Sequence, residues 1–254
     1  MKKAAEYTLR VRKLFNRLKR SGAKSSLAAA DGAMDVLLLG ILSNFSTEQK
    51  AAVAIETLMA EMIDYNDLRV TPVADIVALI GIEFPHCRAA AEEISRVFTS
   101  IFNRTHDLDL GFLASFNKKP AASFLDSLDG LSPHAHAFFR NRFLKTHVIP
   151  LDANMYAYLM NNGCISEDLD VGAAQDFVSR VFKGRDAQSF YALLKRSSAA
   201  HAPRAAVGKS RTAGTTRKSA KRPTTKKKTA ARKKRAKGPS KKSTSRKSGG
   251  RRRR

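Results

Sequence analysis

The sequence predicts an all-α body followed by a Lys/Arg-rich segment too poor in apolar residues to fold. Three observations carry this. Apolar residues recur at helical spacing from Leu9 to the neighbourhood of Arg196. No stretch shows sustained period-two alternation bounded by turn residues. From His201 to Arg254 there are 23 Lys and Arg, no Asp or Glu, and no Phe, Tyr, Leu, Ile or Met. Ordering a residue costs roughly 1–2 kcal/mol of backbone entropy, and this last segment has almost nothing to bury in return.

The helices follow in order. Leu9, Leu14, Phe15 and Leu18 lie among Arg10, Arg12, Lys13, Arg17, Lys19 and Arg20, a short basic amphipathic helix ended by Ser21-Gly22. Asp31 or Asp35 caps the next, which ends near Leu42. Ser46 caps a third, apolar through Met62. Thr71-Pro72 reads as N-cap and first residue of a fourth, with Val73, Ile76, Val77, Leu79 and Ile80 mostly inward. Residues 87–103 repeat the pattern with Ala91, Ile94, Val97, Phe98 and Phe102. Shorter helices are expected over 110–116, 120–128, 134–145, 153–161 and 173–181, and a last one from Asp186 to about Arg196.

Charge divides the chain into a basic helix (1–26, net +8), a helical domain (27–200, net −6) and a basic tail (201–254, net +23). A polycation of this kind binds polyphosphate by counterion release, with little sequence preference and strong salt dependence. The densest runs are Lys226, Lys227 and Lys228; Arg232, Lys233, Lys234 and Arg235; and Arg251, Arg252, Arg253 and Arg254. A targeting signal, an anionic-membrane tether or a ribosomal RNA contact are the other readings of such a tail. Cys87 and Cys164 provide no disulfide framework and no cluster of ligands, which suits a reducing compartment. The run from Val36 to Leu42 is far short of the roughly 20 residues that span a bilayer, and no apolar stretch follows the N-terminal charges. The expected setting is the cytoplasm, on the nucleoid, or the nucleus of a eukaryote. DNA is the expected partner, with no membrane, no small-molecule cofactor and a monomeric state.

Several segments, in order, resemble the helix-hairpin-helix–GPD superfamily of DNA glycosylases, the endonuclease III-like proteins. They are Leu39-Gly40-Ile41-Leu42-Ser43-Asn44-Phe45-Ser46-Thr47-Glu48; Val73–Gly81 leading to Arg88-Ala89; the Pro-led helix 120–128 running into a hairpin; and Ile149-Pro150-Leu151-Asp152-Ala153-Asn154. The resemblance covers residues from about 8 to 198 and implies a two-lobed helical fold. Its specific part is the hairpin at 128–139 followed by an Asp 22 residues after Gly130. The tail, in turn, resembles the C-terminal tails of linker histones.

The resemblance implies roles. The hairpin Leu128-Asp129-Gly130-Leu131-Ser132-Pro133-His134 stands where the superfamily's glycines turn tightly and bring N–H groups to a DNA phosphate. Gly130 is kept, Ser132 replaces the second glycine, and Asp129 puts an acid beside the phosphate. Gly130, Leu131 and Ser132 are thus candidate DNA contacts, and a plain helix–helix turn is the other reading. His134 occupies the position of the lysine that forms a Schiff base, so lyase chemistry is not expected; as a general acid or base it competes with a simple packing role. Asp152 matches the carboxylate that stabilises an oxocarbenium ion and activates water, or it is an N-cap. Phe45 stands where a side chain fills the gap left by a flipped base, or it packs under the next helix. The iron–sulfur loop would fall near 197–204, where there is no Cys. His134, His136 and His147 have no spacing that supports a zinc site. Two functions follow: a monofunctional DNA glycosylase in base-excision repair, acting on a damaged or mismatched base; or a non-catalytic nucleoid- or chromatin-associated DNA-binding protein on a degenerate glycosylase scaffold.

Overall fold

Apolar stripes at helical spacing can only be buried against one another, and eleven helices do this in the computed structural model, which describes residues 4–21 and 28–201. They are α1 (Ala4–Arg20), α2 (Ala33–Phe45), α3 (Glu48–Glu61), α4 (Tyr65–Val70), α5 (Val73–Ile80), α6 (Cys87–Thr105), α7 (Lys118–Asp126), α8 (Pro133–Arg142), α9 (Ala153–Asn161), α10 (Val171–Val181) and α11 (Gly184–His201). A 3₁₀ turn at Gly111–Ser115 stands where a short helix was expected over 110–116. Among the described residues there is no strand, and no helix is long and apolar enough to cross a membrane.

Local chemistry sets the helix starts. Thr47, rather than Ser46, caps α3 and accepts from the Lys50 amide. Asp35 lies inside α2 and reaches back to the Gly32 amide at 3.0 Å. Asp64 caps α4, a short helix that the apolar pattern does not announce, and Thr71 ends it instead of opening α5. Ser132 and Asp170 cap α8 and α10.

Helix α2, which carries the long apolar run from Val36 to Leu42, is buried over nearly its whole circumference. It lies along α8 and also meets α3 and α6. Its close approach to α8 depends on Gly40, where an added Cβ would stand 3.1 Å from the Phe138 ring. On one side α3 packs on α5, and α4 and α5 pack on α6. On the other, α1 and α9 pack on α11, and α10 touches α1 and α9. The basic helix packs into the body: Val11, Leu14, Phe15 and Leu18 join the common core, where Phe182 stacks on Phe190 at 4.4 Å between centroids and Phe15 meets both edge-on at 4.9 and 5.6 Å. Four of its cations meet groups elsewhere in the body. Arg12 donates to the Val181 carbonyl, Arg17 to Asn162 and Arg10 to the Gly163 carbonyl, while Lys19 pairs with Asp186.

Candidate functional site

Asp152 and His134, both singled out from the sequence, meet where α2, α8, α9 and α11 converge. Asp152 is the N-cap of α9, and its Oδ1 accepts from the Met155 amide at 2.7 Å. A carboxylate at a helix N-terminus is stabilised by the unpaired amides and the helix dipole. Its Oδ2 is engaged as well, by Lys195 of α11. Lys195 Nζ donates both to this oxygen and to the Ser43 carbonyl near the end of α2. The Asp152 side chain is 2 % exposed and that of Lys195 8 %.

His134 sits in the first turn of α8, buried beside this pair. Its Nδ1 lies 3.2 Å from the Gly40 carbonyl. A carbonyl only accepts, so the proton is on Nδ1, and Nε2 is left as an acceptor with no hydrogen-bond partner. Burial, reinforced by the positive Lys195, pushes the His134 imidazole down to about 3 against the opposing pull of Asp152 and the Gly40 carbonyl. It is a neutral ring at physiological pH.

A second buried ion pair lies nearby. Glu48, in the first turn of α3, accepts from the Ala28 amide at 2.9 Å and stands 3.7 Å from Arg142. The Tyr191 hydroxyl lies within electrostatic reach of Glu48 and Asp152. Burial first, then Glu48, raises it well above the ordinary tyrosine range. Sequence reasoning missed Lys195, Tyr191, Glu48 and Arg142. A signal was present for two of them: Tyr191, Lys195 and Ser198 recur at i, i+4 and i+7, and all are buried. A buried lysine inside an apolar stripe calls for a carboxylate.

The hairpin is built next to α6. Gly130 has φ +79°, in the left-handed region, and an added Cβ would stand 3.0 Å from Arg96, so glycine is required there on both counts. Leu131 is half-buried against the core. The Ser132 hydroxyl caps α8 by accepting from the Ala135 amide. The Ser132 amide, one of the N–H groups expected to meet a phosphate, instead donates to Glu93 Oε1 at 2.9 Å, and the Asp129 amide donates to Ser100 Oγ at 3.0 Å. Glu93 is buried, and burial raises its carboxyl above the ordinary range, against the lowering effect of the Ser132 hydrogen bonds and Arg96. The Ser132 amide is thus engaged by an internal carboxylate.

Phe45 ends α2, half-buried, with its ring 6.2 Å from His86. His134, His136 and His147 do not converge. His136 faces Asp126 at 3.3 Å and His147 meets the Ser179 carbonyl at 2.6 Å. Among the described residues no group of three His, Cys, Asp or Glu could hold a metal ion. Cys164 is buried, and its thiol is pushed up to about 11 by burial. The Lys and Arg residues expected to contact DNA at 226–228, 232–235 and 251–254 lie outside the described residues.

No protein-family model matches the chain, and comparison with curated proteins finds no significant relative. Comparison with solved structures finds a common fold. A trapped endonuclease III–DNA covalent intermediate superposes with a TM-score of 0.57 at 10% identity, over 74% of this chain and 84% of that one. A thermostable thymine-DNA glycosylase gives 0.53 at 16% identity, over 80% and 90%. The Clostridium acetobutylicum 8-oxoguanine glycosylase/lyase bound to DNA gives 0.52 at 15% identity, over 74% and 68%. The described body has the helix-hairpin-helix–GPD fold of the DNA glycosylases.

Proposed function

We propose that this protein binds DNA without excising bases, a chromatin- or nucleoid-type protein built on a glycosylase scaffold. The observation that carries this is Asp152. A carboxylate that stabilises an oxocarbenium ion or activates water must present an oxygen to the substrate. Both Asp152 oxygens are committed internally, one to the α9 amide and one to Lys195, and the side chain is 2 % exposed. Freeing it means separating a buried ion pair, which typically costs about 3–5 kcal/mol.

The hairpin supports the same reading, since Glu93 takes the Ser132 amide. Affinity then falls to the basic segments, above all residues 201–254 with their net +23. Such binding is electrostatic, indifferent to sequence and steeply salt-dependent.

The test has two arms. Full-length protein and Asp152→Asn are assayed for excision on uracil, mismatched and oxidised-base duplexes, and none is expected. Binding of an undamaged duplex is followed across a salt series for the full chain and for a chain ended at His201, the last described residue. The shortened chain should lose most of the affinity and most of the salt slope. Asp152-dependent excision of any base would instead establish the monofunctional glycosylase. Tight, damage-selective binding by the shortened chain would overturn the assignment of affinity to the tail.

A further inference from the structure

If the Glu93 carboxylate fills the hairpin, another surface of the body is left to meet a phosphate. We propose that the outer face of α6, beside the hairpin, binds the backbone phosphates of duplex DNA; this rests on the DNA-binding reading above. Arg96, Thr99, Ser100, Asn103 and Arg104 fall at i, i+3, i+4, i+7 and i+8, one face of the helix. With Ser95 and Asp129 they line a cleft of about 410 Å³.

The donors suit a phosphodiester. Arg96 Nε gives a hydrogen bond of 3.3 Å to the Glu92 carbonyl and Arg104 gives one to the Ser127 carbonyl. Neither forms an ion pair with a carboxylate among the described residues, whereas their neighbour Arg88 pairs with Glu92 at 2.9 Å. Each guanidinium carries five N–H groups in a rigid fork, so several remain for an anion. Asn103 adds an amide, and Ser95, Thr99 and Ser100 add hydroxyls. Arg96, Asn103 and Arg104 are exposed. The set stretches along residues 95–104, roughly 13 Å of helix at 1.5 Å per residue. A line of donors on an open surface fits a strand of successive phosphates better than one enclosed anion. Phosphate contacts of this kind orient a duplex without choosing its sequence.

Asp129 is the one exposed acid in the cleft. Its charge opposes a phosphate, which yields a prediction of opposite sign from the same surface. The experiment uses the full chain, with 15N-arginine labelling and the Nε–H signals of Arg96 and Arg104 followed by NMR. The probes are an undamaged duplex and, separately, inorganic phosphate. Both signals should move with the duplex, in step with its binding by fluorescence anisotropy. Arg96→Gln/Arg104→Gln should bind about tenfold more weakly with a salt slope lower by about 1–2, and Asp129→Asn about two- to threefold more tightly, all with unchanged thermal melts. A duplex that binds while both signals stay still overturns this site and leaves the DNA-binding reading intact. A duplex that does not bind at all overturns both. Signals that move with inorganic phosphate but not with a bound duplex make this a small-anion site and overturn the proposal.

Discussion

Asp152 and Asp129 flank the same hairpin helix, α8, and are put to opposite use. Asp152, after α8, is buried, caps α9 and neutralises Lys195. Asp129, before α8, is exposed, and its backbone amide, not its carboxylate, is engaged. The buried acid lies where the scaffold implies chemistry, yet it is held by the fold. The exposed acid lies where the resemblance implies a phosphate, beside Arg96 and Arg104, neither of which forms a salt bridge among the described residues, although Arg96 acts electrostatically on the buried Glu93 carboxyl. What a carboxylate can do is set less by its place in a motif than by which charge is buried with it. The charge buried with Asp152 is that of Lys195, arriving from α11, 43 residues along the chain.

The sharpest way to break this comparison is to remove the charge of Asp152. Asp152→Asn keeps the capping oxygen but leaves Lys195 buried without a counter-charge, and should destabilise by about 3–5 kcal/mol in denaturant melts. Pairing it with Lys195→Met should recover much of that loss, because an apolar side chain of similar length asks for no partner. An Asp152→Asn protein of native stability would mean that the pair is not closed in solution, and the contrast with Asp129 would collapse.

The next effect is a pH dependence. The folded His134 imidazole is pushed down to about 3 from an ordinary value of 6.5. Below 6.5 the unfolded chain takes up a proton that the folded chain refuses, so this residue's contribution is present above 6.5 and is lost as pH falls toward 3. The slope is at most about 1.4 kcal/mol per pH unit. His134→Asn should flatten stability against pH in that window. Its imidazole signals should also fail to titrate between pH 5 and 8. A His134 titrating near 6.5 would show that the pocket is open to water.

A third test concerns the hairpin. Glu93→Ala leaves the Ser132 amide without its acceptor and should cost about 1–3 kcal/mol, read as a lower melting temperature and faster amide exchange at Ser132.

Much of this was legible in the sequence, for a physical reason. Helical spacing and cap residues are local, so most helices could be placed from the residues alone; the hairpin at 128–139 came from the resemblance to a known family. The short α4 escaped because six residues carry too little apolar periodicity to register. At the site, Asp152, His134 and Gly130 were found by their order along the chain. Lys195 and Glu93 were not, since each meets its partner across a long separation: 43 residues to Asp152 and 39 to Ser132. The same holds for the cations of α1. Read from the sequence they are a basic face; in the fold Arg10, Arg12 and Arg17 donate to groups from Asn162 to Val181.

The smallest expected effect is the most discriminating for the hairpin. Glu93→Gln keeps an oxygen for the Ser132 amide and removes the buried charge. Because burial raises the folded carboxyl above its ordinary value of 4.5, the wild-type side chain contributes most at low pH and loses that contribution as pH rises through the folded value. The variant should therefore match wild type near pH 4 and become the more stable of the two toward neutrality, by up to about 1 kcal/mol. A variant less stable than wild type at neutral pH would mean that the ionised carboxylate is well solvated. Glu93 would then not be the internal stand-in for a phosphate, and the hairpin amide would again be open to DNA.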